Sequence, residues 1–478
     1  MKTKKLFSLI ILAVFVASIF SVNASALANT PGTGDFVYAL NSNVHYGSEI
    51  IPYSATVTDI PNTKKVEIPE KVTFDGIEYT VTDLDLDGWY SVTAGGRTTV
   101  KHKYTNVEEI VLPDTIYNIT ELSDIPNLTK LNLPPNAILG RETDYDDYII
   151  KYHNRGFNDY VHLPYLENFP KLTLSVSPDS KYYSYKNNML LSKDGKTLYL
   201  SLNRNTDITI PDGVEEILDY GGVGFSHVKN VRLPDTLKYF GGGDWDSLTK
   251  IALPNGLEEI RALLGKSKIK DITLPDSLKK IGWGVFKNSK LTKIVISDSV
   301  KEIGGKAFAG SKLKSVKFGK SVKFINEKAF YNCKNLKSVT IPESVVRIES
   351  DAFRDCKNLK SVKILSSNIQ YIRHNAFQDC KKLKAVTING AEKIAVCAFD
   401  NCKKLSKITI NNKENAPKLF DTYIGGFKNS KKGIKFVVKN NKVAKELKKQ
   451  LNRKKIKCNL KDAKIIVGKK VIYKINSK

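Results

Sequence analysis

Seven lysines recur at one position of a repeating unit, four residues after a phenylalanine. They are Lys290, Lys312, Lys334, Lys357, Lys381, Lys403 and Lys431. If successive units lie about 5 Å apart, neighbouring ammonium groups repel by roughly 0.8 kcal/mol in water, and by less in salt. Evenly spaced positive charge suits a linear polyanion such as wall teichoic acid, a sulfated glycan or extracellular DNA, bound by counterion release. We predict a binding edge here; the alternative is a solvated, solubilising edge.

Two further surfaces are candidates for binding. Outward positions of the predicted strands carry lysines, and solenoid sheets often present their ligand face: these are Lys293, Lys317, Lys363 and Lys407. Residues 135–187 break the repeat and are dense in Tyr and Asp, so aromatic side chains there could offer platforms to a sugar or a protein: Tyr145, Tyr148 and Tyr152. Packing of the insertion onto its scaffold is the alternative for these tyrosines.

A second column of the repeat, three residues after the phenylalanine, holds only small side chains. Its members are Ser289, Ser311, Cys333, Cys356, Cys380, Cys402 and Ser430. Since Ser takes the place of Cys in three of the seven units, we interpret the column as packing. Stacked disulfides and a metal site are the alternatives, although parallel side chains do not supply the disulfide dihedral and a line of ligands is not a tetrahedron.

Catalytic and metal-binding motifs are weak in this sequence. Asp83, Asp85 and Asp87 have the opening spacing of a calcium loop, but Ala94 stands where the loop needs a bidentate Glu. No HExxH, G-x-S-x-G or Walker-type segment occurs. We therefore predict no enzyme activity, no catalytic residue, no metal and no cofactor.

The elements that must position these columns follow from the repeat. Six phenylalanines recur at intervals of 22, 22, 23, 24 and 22 residues, the length class of leucine-rich repeats: Phe286, Phe308, Phe330, Phe353, Phe377 and Phe399. Each unit has an alternating segment such as "LKSVTI", a second apolar pair such as "SVVRI", and an Ala-Phe step. One unit cannot offset its own ordering entropy, so the units must stack into a solenoid with paired parallel strands.

These columns resemble the BspA-like leucine-rich repeat proteins, whose unit reads approximately strand, Ile-Pro, Val-x-x-Ile-Gly, Ala-Phe-x-x-Cys-x-x-Leu. The segment "LKSVTIPESVVRIESDAFRDCKNLKSV" matches nearly throughout, and the resemblance covers roughly residues 60 to 430. Proline is replaced at Ser297, Gly319, Leu365 and Asn389. The resemblance implies a bacterial protein that is exported or displayed on the cell surface, adhesin-like and without catalytic residues.

Charge and the first residues bear on location and partners. Residues 1–265 carry 24 Lys and Arg against 33 Asp and Glu, a net charge of −9, whereas residues 266–478 carry 52 against 16, a net charge of +36. The basic half favours anionic partners. Basic residues, an apolar run and small-x-small sites predict a secretory signal peptide at 1–28, and no later run is long enough for a membrane span.

The predicted fold class is an α/β repeat solenoid, a leucine-rich-repeat-like stack of short parallel strands with terminal caps. The expected parts are a signal peptide (1–28), N-terminal capping strands (29–65), degenerate repeats (66–134), a Tyr/Asp-rich insertion with a hairpin at Asp194-Gly195 (135–207), regular repeats (208–430) and a strand-helix-strand cap (431–478).

Two hypotheses for function follow. The first is an exported, non-enzymatic, adhesin-like binding solenoid that recognises an extracellular protein or an anionic polysaccharide. The second is a structural cell-envelope protein held to anionic wall polymers, such as wall teichoic acid, by its basic C-terminal half. We expect a secreted or cell-surface monomer, with nucleic acid the less favoured partner.

Overall fold

The computed structural model describes residues 26–29, 36–46, 49–86, 90–94, 97–101, 104–122, 125–139, 166, 169, 171–218, 224–420, 427, 433–452, 460 and 462–475. The chain divides into two compact units, one of residues 1–202 with 220–223 and one of residues 203–219 with 224–478. The predicted signal peptide lies outside the described residues except for its last three residues, which begin the strand Ala26–Asn29.

The first unit contains a seven-stranded sheet that begins antiparallel and becomes parallel. Its strands in spatial order are Ala26–Asn29, Val37–Tyr46, Glu49–Asp59, Ile77–Leu86, Asn118–Leu122 and Ile138–Leu139, with Lys71–Phe74 pairing to Ile77–Leu86. A parallel four-stranded sheet follows the order Thr173–Val176, Lys130–Leu133, Glu109–Val111 and Lys65–Glu67. A hairpin joins Tyr90–Ala94 to Arg97–Lys101. Asp83 and Asp85 lie on a strand, and Asp83 accepts hydrogen bonds from Thr82 and Asn118, so these residues do not form a calcium loop.

The first unit also holds the predicted hairpin. Strands Met189–Ser192 and Thr197–Ser201 pair antiparallel, and Tyr183–Lys186 pairs with the first of them. Gly195 adopts a φ of 74°, which a side chain would disfavour. The hairpin prediction at Asp194-Gly195 is therefore confirmed.

In the second unit, most coils contribute one short strand to each of two sets of strands. The first set, here the long-strand ladder, forms three separate sheets: Asp207–Thr209 with Asn230–Arg232, Lys293–Val295 with Ser315–Lys317, and a seven-stranded sheet in the order Ser338–Ile341, Ser361–Ile364, Ala385–Ile388, Lys407–Ile410, Lys435–Val438, Ala463–Val467 and Lys470–Ile475. The second, the short-strand ladder, contains Glu216–Ile217, Tyr239–Phe240, Glu259–Ile260, Lys280–Ile281, Glu302–Ile303, Phe324–Ile325, Arg347–Ile348, Ile369–Ile372, Ala391–Ala395 and Lys418–Phe420. Pairing within both ladders is parallel until the last strand, Lys470–Ile475.

The core of the second unit is a stack of the repeat's aromatic side chains. Ring centroids of Phe330 and Phe353 are 5.1 Å apart with an interplanar angle of 1°. The same stacking joins Phe286 to Phe308 at 5.2 Å and Phe377 to Phe399 at 5.5 Å. Since each ring covers its neighbours above and below, a coil gains its burial from the stack, as the sequence predicted.

Two corners of the coil fix its shape, because residues there adopt positive φ. One corner lies two residues before the phenylalanine and the other two residues after it; in one coil these are Asp351 at 58° and Asp355 at 60°. Asn and Asp tolerate the left-handed region better than other non-glycine residues, and the second corner holds Asn or Asp in most coils. Only three residues separate the corners, which leaves no room for an α-helix.

The α/β label predicted from the sequence is therefore not confirmed. Within the described residues the one α-helix is Asn441–Leu451, accompanied by a short 3-10 turn at Val396–Phe399. The helix begins at the cap residue Asn440, whose side chain accepts from the Val443 N–H at 2.9 Å. Val443, Leu447 and Leu451 are buried on one face, as predicted.

The segment after the helix differs from its prediction. The sequence suggested one final strand, but the chain forms two, Ala463–Val467 and Lys470–Ile475, which pair antiparallel around Gly468 at a φ of 59°. The helix also reaches back to the end of the short-strand ladder. Gln450 accepts from the Leu419 N–H at 2.6 Å and donates to the Pro417 carbonyl at 3.1 Å, while Glu446 accepts from the Ala416 N–H at 2.7 Å.

Candidate functional site

The lysine column forms one exposed edge of the second unit, here called the lysine edge. Its described members are Lys290, Lys312, Lys334, Lys357, Lys381 and Lys403, all exposed. Each follows the positive-φ corner by two residues, and the corner turns the backbone so that the Lys357 N–H bonds the Asp355 carbonyl at 2.7 Å. Lys431, the seventh predicted member, lies outside the described residues.

Few acidic groups neutralise the lysine edge. Lys357 lies 3.9 Å from the Asp355 carboxylate, a long contact between partly exposed groups that contributes little. In the described part of the chain, no carboxylate comes within 4.0 Å of the ammonium groups of the other members: Lys290, Lys312, Lys334, Lys381 and Lys403. The edge therefore keeps its positive charge for solvent ions or a ligand.

The outward strand lysines predicted from the sequence are exposed, but they lie in two rows. The register pairs Lys293 with Ser315, and Lys407 with Ala385. Lys317 pairs instead with Val295, and Lys363 with Thr340 and Thr387, two residues along each strand from the row of Lys293 and Lys407. Because side chains two residues apart share a face, both rows face outward, and the four lysines form no single line.

Three lysines that sequence reasoning missed extend the row of Lys407. Lys435 pairs with Lys407, Lys464 pairs with Lys435, and Lys474 pairs with Lys464. These four residues are here called the lysine quartet. The signal was present in the sequence: Lys435 and Lys464 each precede a buried apolar residue, as Lys407 precedes Ile408. The missing information was the register of the segment after the repeats.

A row of cationic side chains on the short-strand ladder was also missed by sequence reasoning. Several of these side chains make cation–π contacts with aromatic rings. The Arg347 guanidinium lies 5.8 Å from the Phe324 ring centroid. Arg373 and Lys393 lie 4.8 and 4.6 Å from the centroid of Tyr371. Lys393 donates to the Tyr371 hydroxyl at 2.8 Å, which together with Glu392 raises the pKa of Lys393. Phe324, Arg347, Tyr371 and Lys393 share one register, so aromatic and cationic groups alternate from coil to coil.

The four described cysteines of the column are packed in the core, as the packing interpretation predicted. Each thiol is buried and donates to the carbonyl oxygen of a phenylalanine in the preceding coil: Cys333 to Phe308 at 3.1 Å, Cys356 to Phe330 at 3.2 Å, Cys380 to Phe353 at 3.3 Å and Cys402 to Phe377 at 3.2 Å. These cysteines and the half-buried Cys397 are free thiols. Ser fits the same column because its side chain is also small: the Ser311 hydroxyl lies 3.3 Å from the Cys333 sulfur, while the Ser289 hydroxyl is buried without a hydrogen-bond partner among the described residues.

The aromatic platforms predicted in the insertion, Tyr145, Tyr148 and Tyr152, lie outside the described residues. In the part of the chain that the structure covers, no cluster of three or more His, Cys, Asp or Glu side chains is arranged to hold a metal ion. Over the same residues, no helix has the length and apolar character needed to cross a membrane.

Comparison with known proteins supports the repeat assignment. A family model described as "BspA type Leucine rich repeat region" matches residues 195–314 and 301–420 in six copies. No curated protein matches the chain. Residues 195–420 thus form a BspA-type leucine-rich repeat region, and the resemblance inferred from the sequence is confirmed over that region.

Solved structures resemble the fold at low identity. A leucine-rich repeat protein from Bacteroides ovatus is 21% identical, with 94% of this chain and 99% of that chain covered and a TM-score of 0.47. The pneumococcal vaccine antigen PcpA is 15% identical over 94% of this chain and 100% of its own, with a TM-score of 0.42. A leucine-rich cell surface protein from Faecalibacterium prausnitzii is 17% identical, covering 83% and 94%, with a TM-score of 0.29.

Proposed function

We propose that this protein is an exported, non-enzymatic, adhesin-like binding protein of the bacterial surface. It recognises an extracellular or cell-surface macromolecule, either a protein or an anionic polysaccharide. The observation that carries the proposal is the lysine edge: at least six exposed lysines follow successive coils, and five of them have no carboxylate within 4.0 Å among the described residues.

Stacked coils favour binding to an extended partner. Neighbouring coils repeat the same side chain about every 5 Å, so a long partner meets the same group many times. Individually weak contacts then add along the molecule, and the positive field steers anionic groups toward it. A deep catalytic pocket is not needed for this kind of recognition.

The terminal segments have a supporting role in this proposal. Within residues 431–478 the helix Asn441–Leu451 acts as a cap, since Gln450 bonds the backbone of Leu419 in the last short strand, and Gln450 and Glu446 bond the backbone just before that strand, at Pro417 and Ala416. We infer that strands within 29–65 form a separate cap in the first unit. Caps are required because an open ladder leaves unpaired N–H and C=O groups.

A second candidate function is a structural envelope protein attached to anionic wall polymers. The charge distribution favours it, because residues 266–478 carry a net charge of +36. In this case the attachment surface is the basic half itself and not a specific site.

Salt dependence separates the two candidates. Binding of the mature chain to immobilised matrix proteins and to wall teichoic acid is measured from about 50 to about 500 mM salt. An adhesin keeps a matrix-protein partner at physiological salt. Loss of all binding near that salt concentration contradicts the adhesin proposal, and retention of teichoic acid alone supports the envelope role.

A further inference from the structure

The lysine quartet places four like charges side by side on one sheet. Lys407, Lys435, Lys464 and Lys474 come from four neighbouring strands and occupy the same register. Lys407, Lys435 and Lys474 are exposed, and Lys464 is half-buried. Cα partners in adjacent strands lie about 5 Å apart, so each lysine has another lysine as its nearest neighbour on that face.

This arrangement opposes folding unless something compensates it. Like charges directly opposite each other in a sheet are destabilising. In the described chain no carboxylate lies within 4.0 Å of any ammonium of the quartet. Along the same row, the preceding strands hold Ala385, Ser361 and Ser338, so the fold itself does not require lysine at this position.

We propose that the quartet binds an acidic polysaccharide that carries one carboxylate on each sugar, laid across the four strands. This inference rests on the proposed binding function and names a ligand class and a site for it. One ammonium per strand, at strand spacing, meets one carboxylate per sugar of an extended chain. Four consecutive sugars therefore fill the site.

The neighbouring row supplies the floor on which the sugars lie. Beside the lysines run the half-buried residues Thr409, Val437 and Ile466, in register with one another. Short β-branched side chains make a low, flat strip that admits the carbon-bound faces of sugar rings. The strip has no aromatic side chain, whereas single-stranded nucleic acid is held by base stacking on aromatic groups.

An acidic peptide fits the spacing less well. In an extended strand, side chains on one face recur about every 6.8 Å, twice the rise per residue. Carboxylates at that interval lose register with ammonium groups about 5 Å apart within three or four strands. A sugar chain charged at every unit has a carboxylate available at each step, and rotation about its glycosidic bonds can turn successive carboxylates toward the sheet.

The test uses four-sugar oligogalacturonate and a variant in which all four lysines of the quartet become serine, the residue of the same row in earlier strands. Binding is measured by calorimetry, and thermal unfolding is followed in parallel. We expect affinity to fall by at least about tenfold, because charge-assisted hydrogen bonds are lost. We also expect Tm in low salt to rise without ligand, because the repulsion is removed. A merely solvated row gives neither change.

A matched control removes the same charge elsewhere in the segment. Lys439, Lys442, Lys445 and Lys449 are exposed and lie outside the row, and replacing each with Gln preserves helix propensity at the three that lie in the helix. This control should bind the oligomer within about twofold of the natural chain, a change below 0.5 kcal/mol. If the quartet variant and this control lose the same affinity for the oligomer, the proposed site is overturned, because net charge alone would then explain binding.

The last part of the test compares different ligands on the natural chain. A two-sugar oligomer should bind more weakly than the four-sugar oligomer, and a methyl-esterified four-sugar oligomer should not bind. The proposal is overturned if the ester binds equally, or if a glycerol-phosphate polymer or single-stranded DNA of matched charge binds more tightly. If oligogalacturonate fails while a matrix protein still binds, this inference falls and the proposed function stands.

Discussion

The thiol sulfur of Cys356 lies 3.2 Å from the carbonyl oxygen of Phe330, a residue of the preceding coil. The thiol thus joins adjacent coils through a backbone acceptor at the stack's core. Cys356→Ser should keep this bond and change the free energy of unfolding little. Cys356→Ala should lower it by about 1 to 2 kcal/mol, because the carbonyl loses a donor and a small cavity remains. Chemical denaturation measures both; an equal effect of the two substitutions contradicts a hydrogen-bonding role.

The cysteine column also predicts that the stability of the fold depends on pH. Burial raises the pKa of the Cys402 thiol to about 12. In the unfolded chain a thiol ionises near pH 8.5, so its contribution to stability is fully present below that pH and is lost as pH rises toward about 12. Denaturation from about pH 8 to about pH 12 should show a steeper loss for the natural chain than for Cys402→Ser. Parallel curves for the two proteins are the contrary result.

Removal of one ring from the aromatic stack should be costly. Phe353 is fully buried between Phe330 and Phe377, with centroid distances of 5.1 and 5.3 Å. Phe353→Ala should lower the free energy of unfolding by about 3 to 5 kcal/mol, because neighbouring coils cannot close the cavity. Phe324→Ala is the control, since Phe324 is half-buried and lies outside the stack. A cost for Phe353→Ala no larger than for the control speaks against the stack as core.

Charge along the lysine edge should reduce stability at low salt. Lys381→Gln removes one member from between two like-charged neighbours, Lys357 and Lys403. The free energy of unfolding should rise by up to about 1 kcal/mol at low ionic strength, and the gain should vanish near 1 M salt. Urea denaturation at two salt concentrations measures this change. If the difference in unfolding free energy between Lys381→Gln and the natural chain does not change with salt, the lysine side chains lie too far apart to repel one another.

Gln450 should protect the end of the short-strand ladder. Its amide accepts from Leu419 and donates to the Pro417 carbonyl, which replaces the contacts of a further strand. Gln450→Ala should speed hydrogen exchange at the Leu419 amide while leaving Leu405 and the inner coils protected. Lys449→Ala, an exposed neighbour on the same helix, serves as control. Unchanged exchange at Leu419 in Gln450→Ala would show that another group covers this edge.

Residues that repeat in every coil made the fold predictable. Phe330, Cys356 and Val339 each belong to a column, and one stack satisfies all the columns together. The helix face of Val443, Leu447 and Leu451 was readable because its four-residue spacing is local. These signals need no knowledge of distant pairing.

Features that depend on pairing or on turn shape were not predictable in the same way. The α/β label assumed a helical connection, but left-handed corners at residues such as Asp351 and Asp355 leave three residues between them. Lys435 and Lys464 could not be aligned with Lys407, because the register after the repeats is set by a helix and a hairpin. The reversal at Gly468 looked like a continuous strand, since apolar residues continue on both sides of it.

The spacing of the phenylalanines has a consequence for how this molecule can change. Twenty-two residues separate Phe286 from Phe308 and 24 separate Phe353 from Phe377, yet the centroid distances are 5.2 and 5.3 Å. Part of the extra length falls at the bend after Ile364, where Ser366 is buried and its hydroxyl holds the Asn368 N–H at 3.1 Å. The stack of rings is therefore compatible with coils of different length, because such a bend takes up the added residues while the column of rings stays in place.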